Sequence, residues 1–224
     1  MKKCVILLSG GLDSVSLLYY VAKELKYDEI YAISFNYGQK HSRELKEASW
    51  NSGKLSQVKE HRILDLGFMK EILQGTSSLV GDQIEVPDLD AISEAELDQP
   101  VTYVPNRNMM LLSLAASYAE SSGCRDVFYG AQAQDEYGYW DCTLDFLEKI
   151  NAVLNLNRRD YITIQAPFIS KSKGDVAVIG QRCGVDFAHT WTCYRGGESP
   201  CGKCPSCVER QIAFEKSGLI DPLN

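Results

Sequence analysis

The chain has 224 residues, of which 45% are hydrophobic and 24% charged; this is globular composition and excludes disordered, collagen-like and coiled-coil chains. With 30 acidic against 23 basic residues the formal net charge is −7, and no basic stripe of the kind phosphate-backbone contacts require is present, so no nucleic-acid partner is expected. The longest apolar runs, residues 4–8 and 109–112, fall far short of a membrane span, and Ser9-Gly10-Gly11 ends the first too early for a leader. A soluble cytoplasmic protein with no membrane partner is therefore expected.

Along the chain, residues 5–8 read as a buried strand that breaks into Ser9-Gly10-Gly11. From Ser14 the apolar spacing turns helical, with Val15, Leu18, Ala22 and Leu25 at i, i+3, i+7 and i+10. Residues 30–35 read as a second strand, 41–53 as a helix and 58–64 as a third strand. A loop-rich region then runs to Pro105. Within it, residues 81–98 hold Asp82, Glu85, Asp88, Asp90, Glu94, Glu96 and Asp98 and no base. That stretch equals the whole acidic surplus and reads as a solvated loop or lid. Residues 108–122 form a helix closed by Gly123, followed by a strand at 127–130, a helix at 144–156 and a strand at 162–165. Strands alternating with helices predict an α/β fold: a Rossmann-like, mostly parallel sheet with helices on both faces. In such sheets ligands lie beyond the carboxyl ends of the strands, where the unusual residues of this chain fall.

Leu8 leads into Ser9-Gly10-Gly11-Leu12-Asp13-Ser14, which joins the first strand to the first helix. Two glycines permit a sharp turn and close ligand approach. The free amides of the helix start face an anion, and the hydroxyls of Ser9 and Ser14 add donors. There is no lysine, so this is not a Walker loop. A tight turn with Asp13 or Ser14 as N-cap is the plain alternative; the full six-residue pattern directly after the first strand favours an anion site.

Cys201-Gly202-Lys203-Cys204-Pro205-Ser206-Cys207 spaces three thiols at intervals of three, and Cys193 precedes them across Gly196-Gly197. Eight cysteines in a cytosolic chain are not a disulfide framework. Four thiolates in a short loop-rich span predict a closed, structural Zn²⁺ site on Cys193, Cys201, Cys204 and Cys207, with the glycines and Pro205 supplying knuckle turns. Cys4, Cys124 and Cys183 lack such spacing and read as core. The chain thus divides into an α/β domain at 1–190 and a zinc-binding extension at 191–224 packed on it.

The six-residue loop resembles the PP-loop of the ATP pyrophosphatases, which cleave ATP between the α and β phosphates and adenylate a substrate. This implies ATP and Mg²⁺, with Asp13 serving the magnesium or the geometry of the loop itself. Over essentially its full length the chain is similar to the 7-cyano-7-deazaguanine synthase family. The resemblance rests on the loop, on Tyr37-Gly38-Gln39-Lys40-His41-Ser42-Arg43-Glu44-Leu45, on Tyr103-Val104-Pro105-Asn106-Arg107-Asn108, and on Thr192-Cys193-Tyr194 through Cys207. It implies catalytic roles for Asp13, Arg107 and Lys173. It also implies substrate contacts from Tyr37, Gln39, His41, Arg107, Asn108, Asp135, Tyr139 and Asp141. His41 has the alternative of a helix-start residue with a satisfied ring. Arg107 and Lys173 each stand at a helix start, where a positive charge opposes the dipole and suits an anionic partner; a solvated lysine is the alternative for Lys173.

The implied activity joins ammonia to 7-carboxy-7-deazaguanine through an acyl adenylate and an amide to give the nitrile, a step of queuosine and deazapurine biosynthesis, carried out by a homodimer. One stretch departs from the family pattern: Trp140 and Thr143 stand where a proline and an arginine are usual. If those positions reach the ligand, a changed wall there would admit a larger amine acceptor, such as a peptide or protein amine; if they do not, ammonia remains the acceptor, and that is the preferred reading. A tRNA-modifying PP-loop enzyme, opposed by the acidic balance, and a non-catalytic zinc-knuckle module, which leaves the loop unexplained, are the other readings.

Overall fold

The computed structural model describes residues 1–41, 43–93, 99–133, 138–157, 159 and 161–223. Its centre is a five-stranded parallel sheet of β1 (Lys3–Leu7), β2 (Glu29–Asn36), β3 (Val58–Asp65), β4 (Asp126–Phe128) and β5 (Thr163–Gln165), in the order β3-β2-β1-β4-β5. The expected α/β class and the expected strands are present. The helices are α1 (Leu12–Lys23), α2 (Arg43–Ser52), α3 (Met69–Leu73), α4 (Arg107–Ser121), α5 (Leu144–Leu154), α6 (Lys173–Arg182) and α7 (Pro205–Ser217).

Alternation along the strands divides the core. Cys4, Ile6 and Leu8 face α1, α2, α6 and α7, packing with Val15, Ala48, Val176 and Phe214. Val5, Ile33 and Phe35 face α3, α4 and α5, packing with Met69, Leu112 and Phe146. Side chains that alternate on a strand cover both faces of a sheet, so both must be roofed by helices. Cys4, Cys124 and Cys183 are buried in these layers, as expected. The chain order runs outward from β1 through β2 to β3, then returns to β4 on the other side. The carboxyl ends of β1 and β4 therefore flank the topological switch point, where such sheets bind ligands.

Two backbone approaches hold that point closed. Gly10 has φ of 92°, and a Cβ there would overlap the Glu44 carbonyl oxygen and lie 2.8 Å from Ala48 N. Only glycine lets the loop rest on α2. A Cβ on Gly130 would lie 3.2 Å from Ser14 N, so the chain leaving β4 passes tightly against the start of α1. Gly130 consequently lies beyond β4, which ends at Phe128 and is shorter than the expected 127–130 strand.

The C-terminal part contains more regular structure than knuckle turns. Pro205 is the first residue of α7, which closes on Gly218 in the left-handed region. Proline at the first helical position and glycine after the last are ordinary helix punctuation. α6 likewise opens on a capping box of Ser172 and Asp175. The described part of the acidic stretch is largely exposed, with Asp82, Glu85 and Asp90 in solvent, and is anchored at three points. Val86 is buried, Arg195 donates to Val86 O at 2.9 Å and to Asp88 Oδ1 at 2.6 Å, and Leu89 N–H donates to Lys203 O at 2.9 Å. Glu94, Glu96 and Asp98 lie outside the described residues.

Arg210 of α7, 3% exposed, pins the tail to the chain ahead of the cysteines. Its Nε and Nη2 donate to the two carboxylate oxygens of Asp221 at 2.7 and 2.8 Å, Nη1 reaches Thr190 Oγ1 at 2.8 Å, and Nη2 reaches Phe187 O at 3.0 Å. Removing one partner of a buried, hydrogen-bonded pair leaves an uncompensated charge. Asp221→Ala is therefore expected to cost about 3–5 kcal/mol in urea unfolding.

Candidate active site and metal centre

At the switch point lies a cleft of about 240 Å³. It is lined on one side by Leu8, Ser9, Gly11, Leu12, Asp13 and Ser14, and on the other by Tyr37, His41, Arg107 and Asn108. Lys173 and Tyr194 reach it from the C-terminal half. Residues expected to act together from four separate stretches of sequence thus share one space. Gln39, Tyr139 and Asp141 are not part of its lining, and Asp135 lies outside the described residues.

The loop's geometry is set by its own hydroxyls. Ser14 Oγ accepts from the N–H groups of Ser9 and Gly10 at 3.2 Å each, and Ser9 Oγ accepts from Gly11 N–H at 3.2 Å. The two hydroxyls meet at 3.0 Å. Gly11 is the N-cap of α1 and has no side chain to cap it. The first-turn amides, with the positive end of the helix dipole, are directed at the cleft. Asp13 Oδ1 is buried with no hydrogen-bond partner among the described residues, while Oδ2 stands 4.0 Å from Lys173 Nζ. Burial pushes the Asp13 carboxyl up, against the opposing charge of Lys173. An orphaned carboxylate oxygen beside an anion cradle fits a hard divalent cation such as Mg²⁺. Lys173, the first residue of α6, is buried and held by Glu209 Oε2 at 2.8 Å; it is not a solvated lysine.

Across the cleft, the chain after β2 turns back on itself. Gln39 makes the turn: its Oε1 accepts from Tyr37 N–H at 2.8 Å and its Nε2 donates to Phe35 O at 2.9 Å. The turn sets Tyr37 in the cleft wall with Arg107, and the two are electrostatically coupled. Burial opposes charge on Arg107, but Tyr37, Cys142 and Asp141 outweigh it and hold the cation. His41 is pulled down to about 4, first by burial and then by Arg107. Glu44 is pushed up to about 8 by burial. The contact of 3.5 Å from His41 Nε2 to Glu44 Oε1 therefore joins an imidazole that is neutral at neutral pH to a carboxyl whose proton exchanges close to that range. Glu44 lines the cleft but was absent from the expected site residues. Its signal was helical spacing: Glu44, Ala48 and Asn51 fall at i, i+4 and i+7 and all are buried.

Asp141 is spent on structure. Asn106 precedes α4 in a left-handed conformation without capping it, and Asp141 Oδ2 instead accepts from Asn108 N–H at 3.1 Å. Tyr139 shares a hydrogen bond of 2.6 Å with Thr102 Oγ1. Trp140 donates through Nε1 to Tyr103 Oη at 2.8 Å, and Thr143 is the N-cap of α5, accepting from Phe146 N–H at 3.1 Å. Neither Trp140 nor Thr143 lines the cleft.

The Sγ atoms of Cys193, Cys201, Cys204 and Cys207 all lie within 4.8 Å of one another, with Cys201 and Cys207 at 3.9 Å. A tetrahedral ion with metal–sulfur bonds of about 2.3 Å places its sulfurs about 3.8 Å apart. Backbone N–H groups of Cys201 and Cys204 point at Cys193 Sγ and Cys201 Sγ at 3.5 and 3.3 Å. Hydrogen bonds from Cys204 and then Cys207 hold the Cys193 thiol far below its ordinary range. Such a sulfur set can hold one metal ion. Cys193 stands between Thr192 and Tyr194, both in the cleft wall, so the cysteine cluster buttresses that wall.

The model of the family described as queuosine biosynthesis protein QueC matches residues 3–218. The 7-cyano-7-deazaguanine synthase of Oceanobacillus iheyensis is 43% identical over 224 residues, covering 99% of this chain and 97% of that one. That of Clostridium kluyveri is 42% identical, covering 100% and 97%. Among solved structures, a 4-thiouridine synthetase in complex with RNA and bound ATP superposes with a TM-score of 0.54 at 18% identity, over 96% of this chain and 53% of that chain. NMN synthetase from Francisella tularensis gives 0.52 at 13% identity, over 97% and 77%. The two structures share the fold; the sequence match is what carries the assignment, and by it the chain belongs to the QueC family of 7-cyano-7-deazaguanine synthases.

Proposed function

We propose that this chain is an ATP-dependent C–N ligase converting 7-carboxy-7-deazaguanine and ammonia to 7-cyano-7-deazaguanine, through an acyl adenylate and an amide whose oxygen is removed by a second ATP-driven activation. The observation that carries this reading is the cleft itself, where an uncapped anion loop with a buried orphan carboxylate faces the Arg107–Tyr37 pair. The names of relatives above 40% identical over their full length accord with it. Residues Leu8 to Ser14 hold the ATP phosphates, and Asp13 holds a Mg²⁺ that neutralises phosphate charge. Lys173, fixed by Glu209, meets the charge that develops on the phosphates. Arg107 receives the substrate carboxylate, and Tyr37, His41 and Asn108 line the place of its ring. Gln39, Tyr139 and Asp141 act behind them, on the turn and the α4 start that carry those groups. No side-chain nucleophile is needed; positioning and charge neutralisation supply the rate.

Ammonia, rather than a larger amine, is the acceptor favoured by the placement of Trp140 and Thr143. Both are engaged in contacts outside the cleft lining. The net charge of −7 weighs against a tRNA substrate. The four-thiolate site takes Zn²⁺, closed and structural, in an extension at 191–224 on the α/β domain at 1–190. A homodimer is favoured by apolar surface around α3 and α4, where Phe68 is 60% and Ile72 68% exposed. Among the described residues no helix is long and apolar enough to cross a membrane, and the small polar substrates of this reading accord with a cytoplasmic enzyme.

Incubation with ATP, Mg²⁺, 7-carboxy-7-deazaguanine and ammonium is expected to give the nitrile and AMP by mass spectrometry. An adenylate that accumulates without nitrile would favour a different amine. Gly11 has ordinary φ of −75°, and a Cβ there would meet nothing nearer than 3.3 Å. Gly11→Ala should therefore unfold like the parent while losing ATP affinity about 10–100-fold in calorimetric titration. Elemental analysis should find one zinc per chain, and Cys204→Ser should lose it together with folding stability, because structural zinc contributes folding energy.

A further inference from the structure

Amide formation from an acyl adenylate leaves a surplus proton on the incoming nitrogen, and no group assigned above removes it. Lys173 is held by Glu209, Asp13 belongs to the phosphate loop, and Asp141 is bound to the start of α4. Glu44 is a cleft carboxyl with no such employment. It is 8% exposed and, among the described residues, no lysine or arginine forms an ion pair with it. An acid kept for stability alone is normally exposed or paired. Glu44 is neither exposed nor matched by a lysine or arginine, yet its position is over-determined. Gln39 Nε2 donates to Oε1 at 3.4 Å, and His41 Nε2 stands 3.5 Å from the same oxygen. Its own carbonyl rests on Gly10, which sets the carboxyl beside the loop.

Resting on the function proposed above, we propose that Glu44 is the general base of the amine-transfer step, with Gln39 and His41 as the residues that position it. Ammonia attacks the acyl carbon through its lone pair, forming the C–N bond. The cationic nitrogen of the adduct gives one proton to the Glu44 carboxylate. The C–O bond to the adenylate then breaks with its electron pair leaving on AMP, and Glu44 returns the proton to solvent. The carboxyl is pushed up to about 8 by burial, partly offset by the Gln39 hydrogen bond and the Arg107 charge. A base whose pKa lies near the working pH is in the efficient range for such a transfer. The groups facing it are Arg107 from α4 and His41 and Gln39 on the turn before α2.

The test compares the parent with Glu44→Gln, which keeps the shape and the Oε1 acceptor. Exchange of labelled pyrophosphate into ATP, dependent on 7-carboxy-7-deazaguanine, reads adenylation; ammonium-dependent amide formation reads amine transfer. The variant is expected to keep exchange within about threefold while amide formation falls about 100-fold or more. Glu44→Asp, with a carboxylate on a shorter stem, should recover about tenfold of that loss. Loss of exchange and amide together, or amide formation within about threefold of the parent, overturns the proposal. A parent that exchanges nothing overturns the functional reading and the proposal with it; an active parent matched by Glu44→Gln overturns the proposal alone. Should Glu44→Gln fail to fold, the pH profile of Glu44→Asp decides. The amine-transfer limb should shift to lower pH with exchange unmoved, and an unshifted limb overturns the base.

Discussion

Everything at the carboxyl end of this sheet depends on one backbone-to-backbone approach, the contact of Gly10 with the first turn of α2. There the loop leaving β1 meets the carbonyl of Glu44 with no space for a side chain between them. The contact binds two elements that serve opposite sides of the cleft, α1 with its anion-facing amides and α2 with its buried acid. Gly130 makes the corresponding approach from β4. The switch point of an open α/β sheet is a natural crevice; here glycines at its rim bring three chain segments close enough for charged groups from each to address one small ligand.

The cleft's electrostatics follow from that compactness. Burial penalises charge, and the groups respond in different ways. Arg107 keeps its charge because a phenol, a thiol and a carboxylate surround it. Lys173 stays paired with Glu209. Glu44 and His41, bound by no lysine or arginine among the described residues, are both shifted by burial toward their uncharged forms. The loop wall thus presents donors and the far wall a fixed cation, with a neutral imidazole and a proton-exchanging carboxyl between them.

The sheet and its helices were legible because their signals are local: an apolar run that breaks at glycines, then a change of period. The loop and the cysteine cluster were legible for the same reason, since each lies within a few residues of sequence. What sequence could not place were side chains whose work is set by distant partners. Asp141 looks like a ligand-binding acid in a polar loop, yet it caps a helix that begins 34 residues earlier, at Arg107, whose own preceding residue cannot do so. Thr143 looks like a lost arginine and is an N-cap. α7 was hidden because Pro205 sits inside the cysteine motif, where it could equally end a knuckle or begin a helix. Glu44 was overlooked because an acid in a helix's first turn is ordinary; only burial makes it unusual.

The hydroxyls of Ser9 and Ser14 already satisfy the loop amides of Ser9, Gly10 and Gly11. An arriving anion must therefore compete with neutral acceptors built into the loop. A phosphate oxygen gains from this exchange, since charge-assisted hydrogen bonds are stronger and the two hydroxyls can rotate to donate. Weakly basic ions such as chloride gain little, because they replace good acceptors with poorer ones. The two hydroxyls thus set a threshold that favours strongly charged acceptors over weak ones.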